Sequence, residues 1–183
     1  SLTLALEHPE RVEALVLAAP AGLETFTPGA AAFMKDHWHE ERALHTTEVE
    51  TRAGFLTAVF NTQGPQVERF IEERVRLGRH PAFRGTAVAV SRSIHGMLDH
   101  PVYDRLDTVG VPTLVVYGTD DRMIPNPVFT GGRTRTIAER GVARIPNAEL
   151  VMIPGAGHTV QVDAADRFNQ AALDFLARNR RMP

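Results

Sequence analysis

The sequence of 183 residues contains no cysteine, no long uninterrupted apolar run and no excess of either charge. Without cysteine, a disulfide, a thiolate nucleophile and a cysteine-bound zinc are excluded. The absence of cysteine does not decide between a reducing and an oxidising compartment. The apolar runs are strand-sized, well short of the ~20 residues that a membrane-spanning helix needs. The formal net charge of −2 provides no electrostatic footprint for nucleic acid or an anionic membrane. We therefore expect neither as a partner, and we expect a cytoplasmic location.

Apolar patterns alternate between strand and helix along a chain whose 43% apolar content is enough for one domain with a substantial core. Dense apolar runs predict buried strands at 12–19, 113–117 and 150–153. Helical spacing predicts helices at 1–8, 66–77, 136–145 and 164–177, and a further helix capped by Thr46 or Thr47. Residues 22–100 contain no comparable strand, so this stretch is predicted to be mostly helical. The alternation predicts an α/β fold with a mostly parallel, doubly wound sheet.

Two of the predicted strands are each followed by an ionisable side chain. The stretch Val111 to Pro125 leads from an apolar run into Asp120 and Asp121, and Ile153 to His158 leads through a Pro-Gly turn into the imidazole of His158. In open parallel sheets, reactive groups gather at the carboxyl ends of the strands. A carboxylate and an imidazole placed there are two members of a Ser-His-Asp triad. The motif Gly-x-Ser-x-Gly, which would carry the serine, does not occur in the sequence.

These motifs resemble those of the α/β-hydrolase family, and within it the capped enzymes that include carboxylesterases and meta-cleavage-product hydrolases. The opening stretch, from Ser1 to Gly22, is similar to the part of that family that follows the nucleophile elbow. The resemblance implies a hydrolase core at 1–22 and 101–183, with a helical cap at 23–100. It also implies that Asp121, three residues after Gly118, is the triad acid and that His158 is the general base.

The resemblance places the nucleophile just upstream of Ser1, on a preceding segment or on a partner chain. The helix predicted at 1–8 has no N-cap in front of it, which fits a helix cut at its beginning. Ser1 itself is a poor candidate, because the elbow needs Gly two residues later and Thr3 stands there. The implied function is hydrolysis of an ester or similar acyl bond of a small, partly apolar substrate.

Two alternatives stay open on these residues. The first keeps the fold but uses an Asp nucleophile, as in dehalogenases and epoxide hydrolases of the same family. The second is a non-catalytic binding module with the hydrolase fold, although binding alone does not require an acid and a base.

A metal site is suggested by His37 and His39 with Glu40 and Glu41, because imidazole and carboxylate both bind zinc. No third ligand at an established spacing supports such a site, so a solvated helix is the favoured interpretation. We expect neither a metal nor an organic cofactor.

Overall fold

In the computed structural model, which describes residues 1–179, three parallel strands form the sheet. They are β1 (Leu15–Ala18), β2 (Thr113–Gly118) and β3 (Ala148–Ile153), in the order β1-β2-β3. All residues of the central strand β2 are buried, because helices cover both faces of the sheet. The three predicted strands are confirmed, but β1 is shorter than predicted since Val12 instead follows a 3₁₀ turn at Pro9–Arg11.

Helices form most of the remaining described chain. They are α1 (Leu2–Glu7), α2 (Pro28–His37), α3 (Glu40–His45), α4 (Glu48–Gly54), α5 (Pro65–Gly78), α6 (Phe83–Asp99), α7 (Thr134–Val142), α8 (Val160–Asp163) and α9 (Ala165–Asn179). A π-helical turn at Phe55–Val59 follows α4, and a 3₁₀ helix at Tyr103–Thr108 precedes β2. The mostly helical stretch predicted between the first two strands is confirmed. Residues 23–100, the helical insertion, contain α2 to α6.

The start of α4 shows how local sequence places a helix. The hydroxyl of Thr47 accepts the N–H of Glu50 at 3.2 Å, and the Glu50 carboxylate accepts the N–H of Thr47 at 2.8 Å. This capping box satisfies two N–H groups that a helix start leaves without partners. The hydrogen bonds from Thr47 lower the pKa of Glu50. Of the two predicted caps, the structure therefore selects Thr47.

Apolar side chains cover the sheet on both faces. Successive residues of a strand point to opposite faces, so Val115 and Tyr117 of β2 join one buried cluster, while Leu114 and Val116 join another. Helices α1 and α7 pack into the first cluster, and α8 and α9 pack into the second. This arrangement confirms the predicted doubly wound α/β fold.

The helical insertion has an apolar cluster of its own. Phe60, Val67 and Ile71 are buried together, and Val162 of α8 packs against them. The insertion is thereby joined to the segment that follows β3. Within residues 1–179, none of the helices has both the length and the apolar character of a membrane span.

Candidate active site

Asp121 lies in the turn that follows β2, and its side chain is 0% exposed. Its Oδ1 atom accepts the backbone N–H groups of Met123 at 2.8 Å and Ile124 at 3.0 Å. The hydroxyl of Thr134, at the start of α7, donates to the carbonyl of Ile124 at 2.7 Å and holds the same turn. Because Oδ1 is fully engaged by the turn, the orientation of the carboxylate is set and Oδ2 is left for another donor.

His158 supplies that donor from the loop after β3. Its Nδ1 atom lies 3.0 Å from Oδ2 of Asp121, and its side chain is 24% exposed. An ionised carboxylate only accepts hydrogen bonds, so Nδ1 carries the proton of the neutral imidazole and Nε2 keeps its lone pair. The structure therefore brings together the two residues that the sequence named, with an imidazole nitrogen that is able to accept a proton.

Asp120 has different partners, although it is adjacent to Asp121. Its side chain is exposed, with Oδ1 accepting the hydroxyl of Thr119 at 2.8 Å and Oδ2 accepting the amide of Asn61 at 3.2 Å. The two carboxylates therefore have different partners, and only that of Asp121 reaches His158. The choice of Asp121 over Asp120 as the histidine's partner agrees with this geometry.

The loops after β2 and β3 contact each other through their backbones. The N–H of Thr119 donates to Ile153 at 3.0 Å, and the N–H of Asp120 donates to Ala156 at 3.0 Å. A Cβ atom at Gly118 would lie 2.0 Å from the carbonyl oxygen of Ala156. Only glycine permits this approach. It brings the turn after β2 that carries Asp121, the acid turn, close to the loop after β3 that carries His158, the histidine loop. The sequence marked Gly118 as the end of a strand but did not reveal this contact.

Two further residues near the site were missed by sequence reasoning, namely Asn61 and Asp163. Both make hydrogen bonds that join the insertion to the loops after β2 and β3. Asp163 directly precedes the helix predicted at 164–177, and Asn61 belongs to no motif. The two residues are 102 positions apart in the sequence, so no local pattern could have identified their contact.

A cavity of about 470 Å³ lies within the helical insertion and is bordered by Met123 of the turn after β2. Its apolar lining includes Trp38, Phe55, Val59, Phe83 and Met123. Neither Asp121 nor His158 lines this cavity, which approaches the pair at Met123.

Arg74 of α5 also lines the cavity, with its guanidinium 4.6 Å above the ring of Phe83. Burial lowers the pKa of Arg74. Among the described residues, no carboxylate lies within ion-pair distance of this guanidinium, whereas Arg79, another lining residue, pairs with Glu48. The wall of the cavity is therefore mostly apolar, and its charged members are Arg74, Arg79, Glu48 and Glu50.

His37 and His39, the two histidines of the suggested metal site, have structural partners. The ring of His39 accepts the N–H of Arg42 at 3.3 Å and caps α3, while His37 stacks on Phe33 with ring centres 6.1 Å apart. In the described part of the chain, no group of three or more His, Asp or Glu side chains is placed to hold a metal ion.

Comparison with known proteins places these features in a family. A sequence profile of the alpha/beta hydrolase family matches residues 2–171. The chain is 28% identical to a 2-hydroxy-6-oxo-6-phenylhexa-2,4-dienoate hydrolase of Burkholderia cepacia over 97% of its own length and 58% of that protein's. The chain thus spans less than two thirds of this relative.

Solved structures agree in fold. A probable hydrolytic enzyme from Pseudomonas aeruginosa PAO1 superimposes with a TM-score of 0.77 at 26% identity, over 96% of this chain and 59% of the other. A thermophilic esterase superimposes with a TM-score of 0.59 at 27% identity, over 97% and 61% of the two chains. Since the family profile covers nearly all of the described sheet and helices, this chain belongs to the alpha/beta hydrolase family.

Proposed function

We propose that this chain supplies the acid and the base of a Ser-Asp-His hydrolase that cleaves an ester or similar acyl bond. The observation that carries the proposal is the 3.0 Å contact between Asp121 and His158 at the carboxyl ends of two adjacent parallel strands. Asp121 is the acid, His158 is the base, and the nucleophile lies on a segment upstream of Ser1 or on a partner chain. The helical insertion acts as the cap over the substrate.

In the proposed reaction, Nε2 of His158 takes the proton of the serine hydroxyl as its oxygen attacks the acyl carbon. The ionised Asp121 keeps the proton of the imidazole on Nδ1 and stabilises the imidazolium that forms. The imidazolium then gives its Nε2 proton to the leaving group, and an acyl-enzyme remains. A water molecule, deprotonated in turn by His158, attacks the acyl carbon, which releases the acid and regenerates the serine.

The cavity favours a small, partly apolar substrate, because ligand sites are mostly apolar with a few polar groups that set orientation. The relative from Burkholderia cepacia is named for a 2-hydroxy-6-oxo dienoate, which bears a carboxylate, a ketone and an apolar end. For this chain, the corresponding proposal is cleavage of the carbon–carbon bond beside the 6-oxo group. Arg74 would then meet the carboxylate while the aromatic wall meets the apolar end.

Labelling of the full-length protein with a fluorophosphonate tests the nucleophile. Labelling of the wild type that is abolished by His158→Ala supports a serine hydrolase that depends on this base. A folded protein that resists the probe but hydrolyses an epoxide or a haloalkane would instead have an Asp nucleophile. Binding of a ligand without any turnover would make the protein a binding module.

Steady-state rates on two substrates test the acyl bond. The rate on a neutral p-nitrophenyl ester measures ester hydrolysis. The rate on 2-hydroxy-6-oxo-6-phenylhexa-2,4-dienoate measures cleavage of the carbon–carbon bond. Turnover of the ester alone would support a hydrolase of acyl bonds and would contradict cleavage of the carbon–carbon bond in the dienoate.

A further inference from the structure

The carboxylate of Asp163, at the end of α8, accepts hydrogen bonds from the nearby histidine loop and from a distant segment of the helical insertion. Its Oδ2 atom accepts the N–H of Gly157 at 2.7 Å and the N–H of Asn61 at 2.9 Å. Its Oδ1 atom accepts both the N–H and the hydroxyl of Thr62, at 3.1 and 2.8 Å. All four of these groups donate hydrogen bonds. An ionised carboxylate only accepts them, so it is the form that satisfies all four donors.

Gly157, the residue before His158, fits this contact only because it has no side chain. A Cβ atom there would lie 2.8 Å from Oδ2 of Asp163 and 2.9 Å from the backbone nitrogen of Asn61. The close approach leaves the backbone that enters His158 little freedom to shift.

The backbone that leaves His158 is held by the same part of the insertion. The N–H and the hydroxyl of Thr159 both donate to the carbonyl of Val59, at 3.2 and 3.1 Å. Residues 59–62 therefore contact the histidine loop on both sides of His158, through Asp163 on one side and directly on the other.

Asn61 extends these contacts to the acid turn. Its side-chain amide donates to the carbonyl of Gly155 at 2.9 Å and to Asp120 at 3.2 Å. The same short segment thus joins the loops after β2 and β3, and two of its residues, Asn61 and Thr62, donate to the carboxylate of Asp163.

We propose that Asp163 is a positioning residue, which holds His158 in line with Asp121 by joining Gly157 to residues 61–62 of the helical insertion. This inference rests on the proposed function, because it assigns Asp163 a role in the work of the histidine. Asp163 lies outside the cavity lining, so its loss should affect the position of the imidazole more than the contacts that bind substrate. A displacement of about 1 Å at a reacting group lowers turnover by about 10²-fold.

The first test compares Asp163→Asn with Asp166→Asn in the full-length protein. The amide at 163 directs a donor toward backbone N–H groups, whereas Asp166 is exposed in the first turn of α9. We expect Asp163→Asn to lower kcat by about 10²-fold with KM nearly unchanged, and Asp166→Asn to leave both near the wild type. An unchanged kcat in Asp163→Asn, or a loss confined to KM, would overturn the proposal.

A double-mutant cycle with Asp121→Asn separates positioning from a general loss of structure. If Asp163 acts through the histidine–aspartate pair, its substitution adds little once Asp121 is replaced, because the imidazole has already lost its alignment. Additive losses in kcat would show that Asp163 does not act through this pair.

Proton NMR gives a readout that does not depend on hydrolysis. The Nδ1–H of His158 should give a low-field resonance in the wild type that is absent in Asp121→Asn, which assigns it. We expect the resonance to broaden or vanish in Asp163→Asn and to persist in Asp166→Asn. A persistent resonance in folded Asp163→Asn overturns the positioning role alone, whereas a wild type without labelling or turnover overturns the proposed function alone.

Thr62→Val provides a milder variant if Asp163→Asn does not fold. It removes one hydroxyl donor to Asp163 and leaves the carboxylate and the backbone donors in place. A smaller loss of kcat in the same direction, with a broadened Nδ1–H resonance, supports the proposal. A kcat and a resonance equal to those of the wild type would count against it.

Discussion

The Nδ1 atom of His158 lies 3.0 Å from Oδ2 of Asp121, although 37 residues separate them in the sequence. The pair meets because β2 and β3 are adjacent and parallel, with Gly118 opposite Ile153 at their carboxyl ends. Each strand is followed by a short turn, so both side chains reach the same edge of the sheet.

Replacement of the acid tests the pair. In Asp121→Asn, the carbonyl of the amide can still accept the N–H groups of Met123 and Ile124. The amide nitrogen then faces Nδ1 of His158 and favours the wrong tautomer. We expect kcat on an ester to fall by about 10⁴-fold, as the corresponding change does in a serine protease.

Asp120→Asn is the matched control for that substitution, since Asp120 bonds to Thr119 and Asn61 instead of His158. Its kcat should stay close to that of the wild type. Equal losses at positions 120 and 121 would mean that the acid has been assigned wrongly.

Gly118→Ala should destabilise the fold. The new Cβ atom would meet the backbone oxygen of Ala156 at 2.0 Å, and a backbone group in a loop joined to β3 cannot move aside without cost. We expect the free energy of unfolding, measured by urea denaturation, to fall by about 3 kcal/mol.

Gly110→Ala serves as the control, because a Cβ atom there meets open space. Its free energy of unfolding should remain within about 0.5 kcal/mol of the wild type. Similar losses in the two variants would remove the special role of the contact between the strand end and the histidine loop.

The buried hydroxyl of Tyr117 should make the free energy of unfolding depend on pH in the alkaline range. Burial, with smaller contributions from Asp121 and Glu24, raises the pKa of Tyr117 above its ordinary value, and its hydroxyl donates to the carbonyl of Pro20 at 2.6 Å. An unfolded tyrosine ionises near pH ~10, so above that pH the unfolded chain gives up a proton that the folded chain retains. The contribution of Tyr117 to the free energy of unfolding is therefore complete below pH ~10 and falls as the pH rises.

Urea denaturation of the wild type and Tyr117→Phe over this pH range provides the measurement. At neutral pH, Tyr117→Phe should lose about 1 kcal/mol through the missing hydrogen bond. Above pH ~10 its free energy of unfolding should fall less steeply than that of the wild type. Parallel curves at alkaline pH would contradict this account.

The guanidinium of Arg74 in the cavity wall should give the cavity a preference for an anionic substrate. Hydrogen bonds to charged groups contribute about 1.5–3 kcal/mol, so Arg74→Gln should raise KM for the dienoate by roughly 10- to 100-fold. KM for a neutral ester should change little, because that substrate offers no anion to the guanidinium.

Arg76→Gln provides the control, since Arg76 lies on the same helix, is exposed and is outside the cavity lining. Both KM values should be unaffected in that variant. An equal rise for anionic and neutral substrates in Arg74→Gln would show that Arg74 supports the shape of the cavity instead of binding an anion.

Much of the fold follows from local patterns. Burial on both faces makes β2 a continuous apolar run, and the apolar stripes of α5 and α9 repeat with the helical period, so these elements were predicted closely. Boundaries were less accurate at α7, which begins at Thr134 and ends at Val142, because helix ends depend on neighbouring turns. The contacts of Asn61 and Asp163 were not predicted, since they join residues of different elements.

The amino-acid sequence by itself determined which residue types stand at the strand ends, including Asp121 and His158, because apolar periodicity and turn residues act over a few neighbouring positions. Only the tertiary structure decided that the carboxylate of Asp121 points at the imidazole while that of Asp120 faces the insertion. It also brought Asp163 against Gly157 and Asn61. Directions and distances of this kind arise when packed elements fix the backbone of each loop, and packing depends on the whole chain at once.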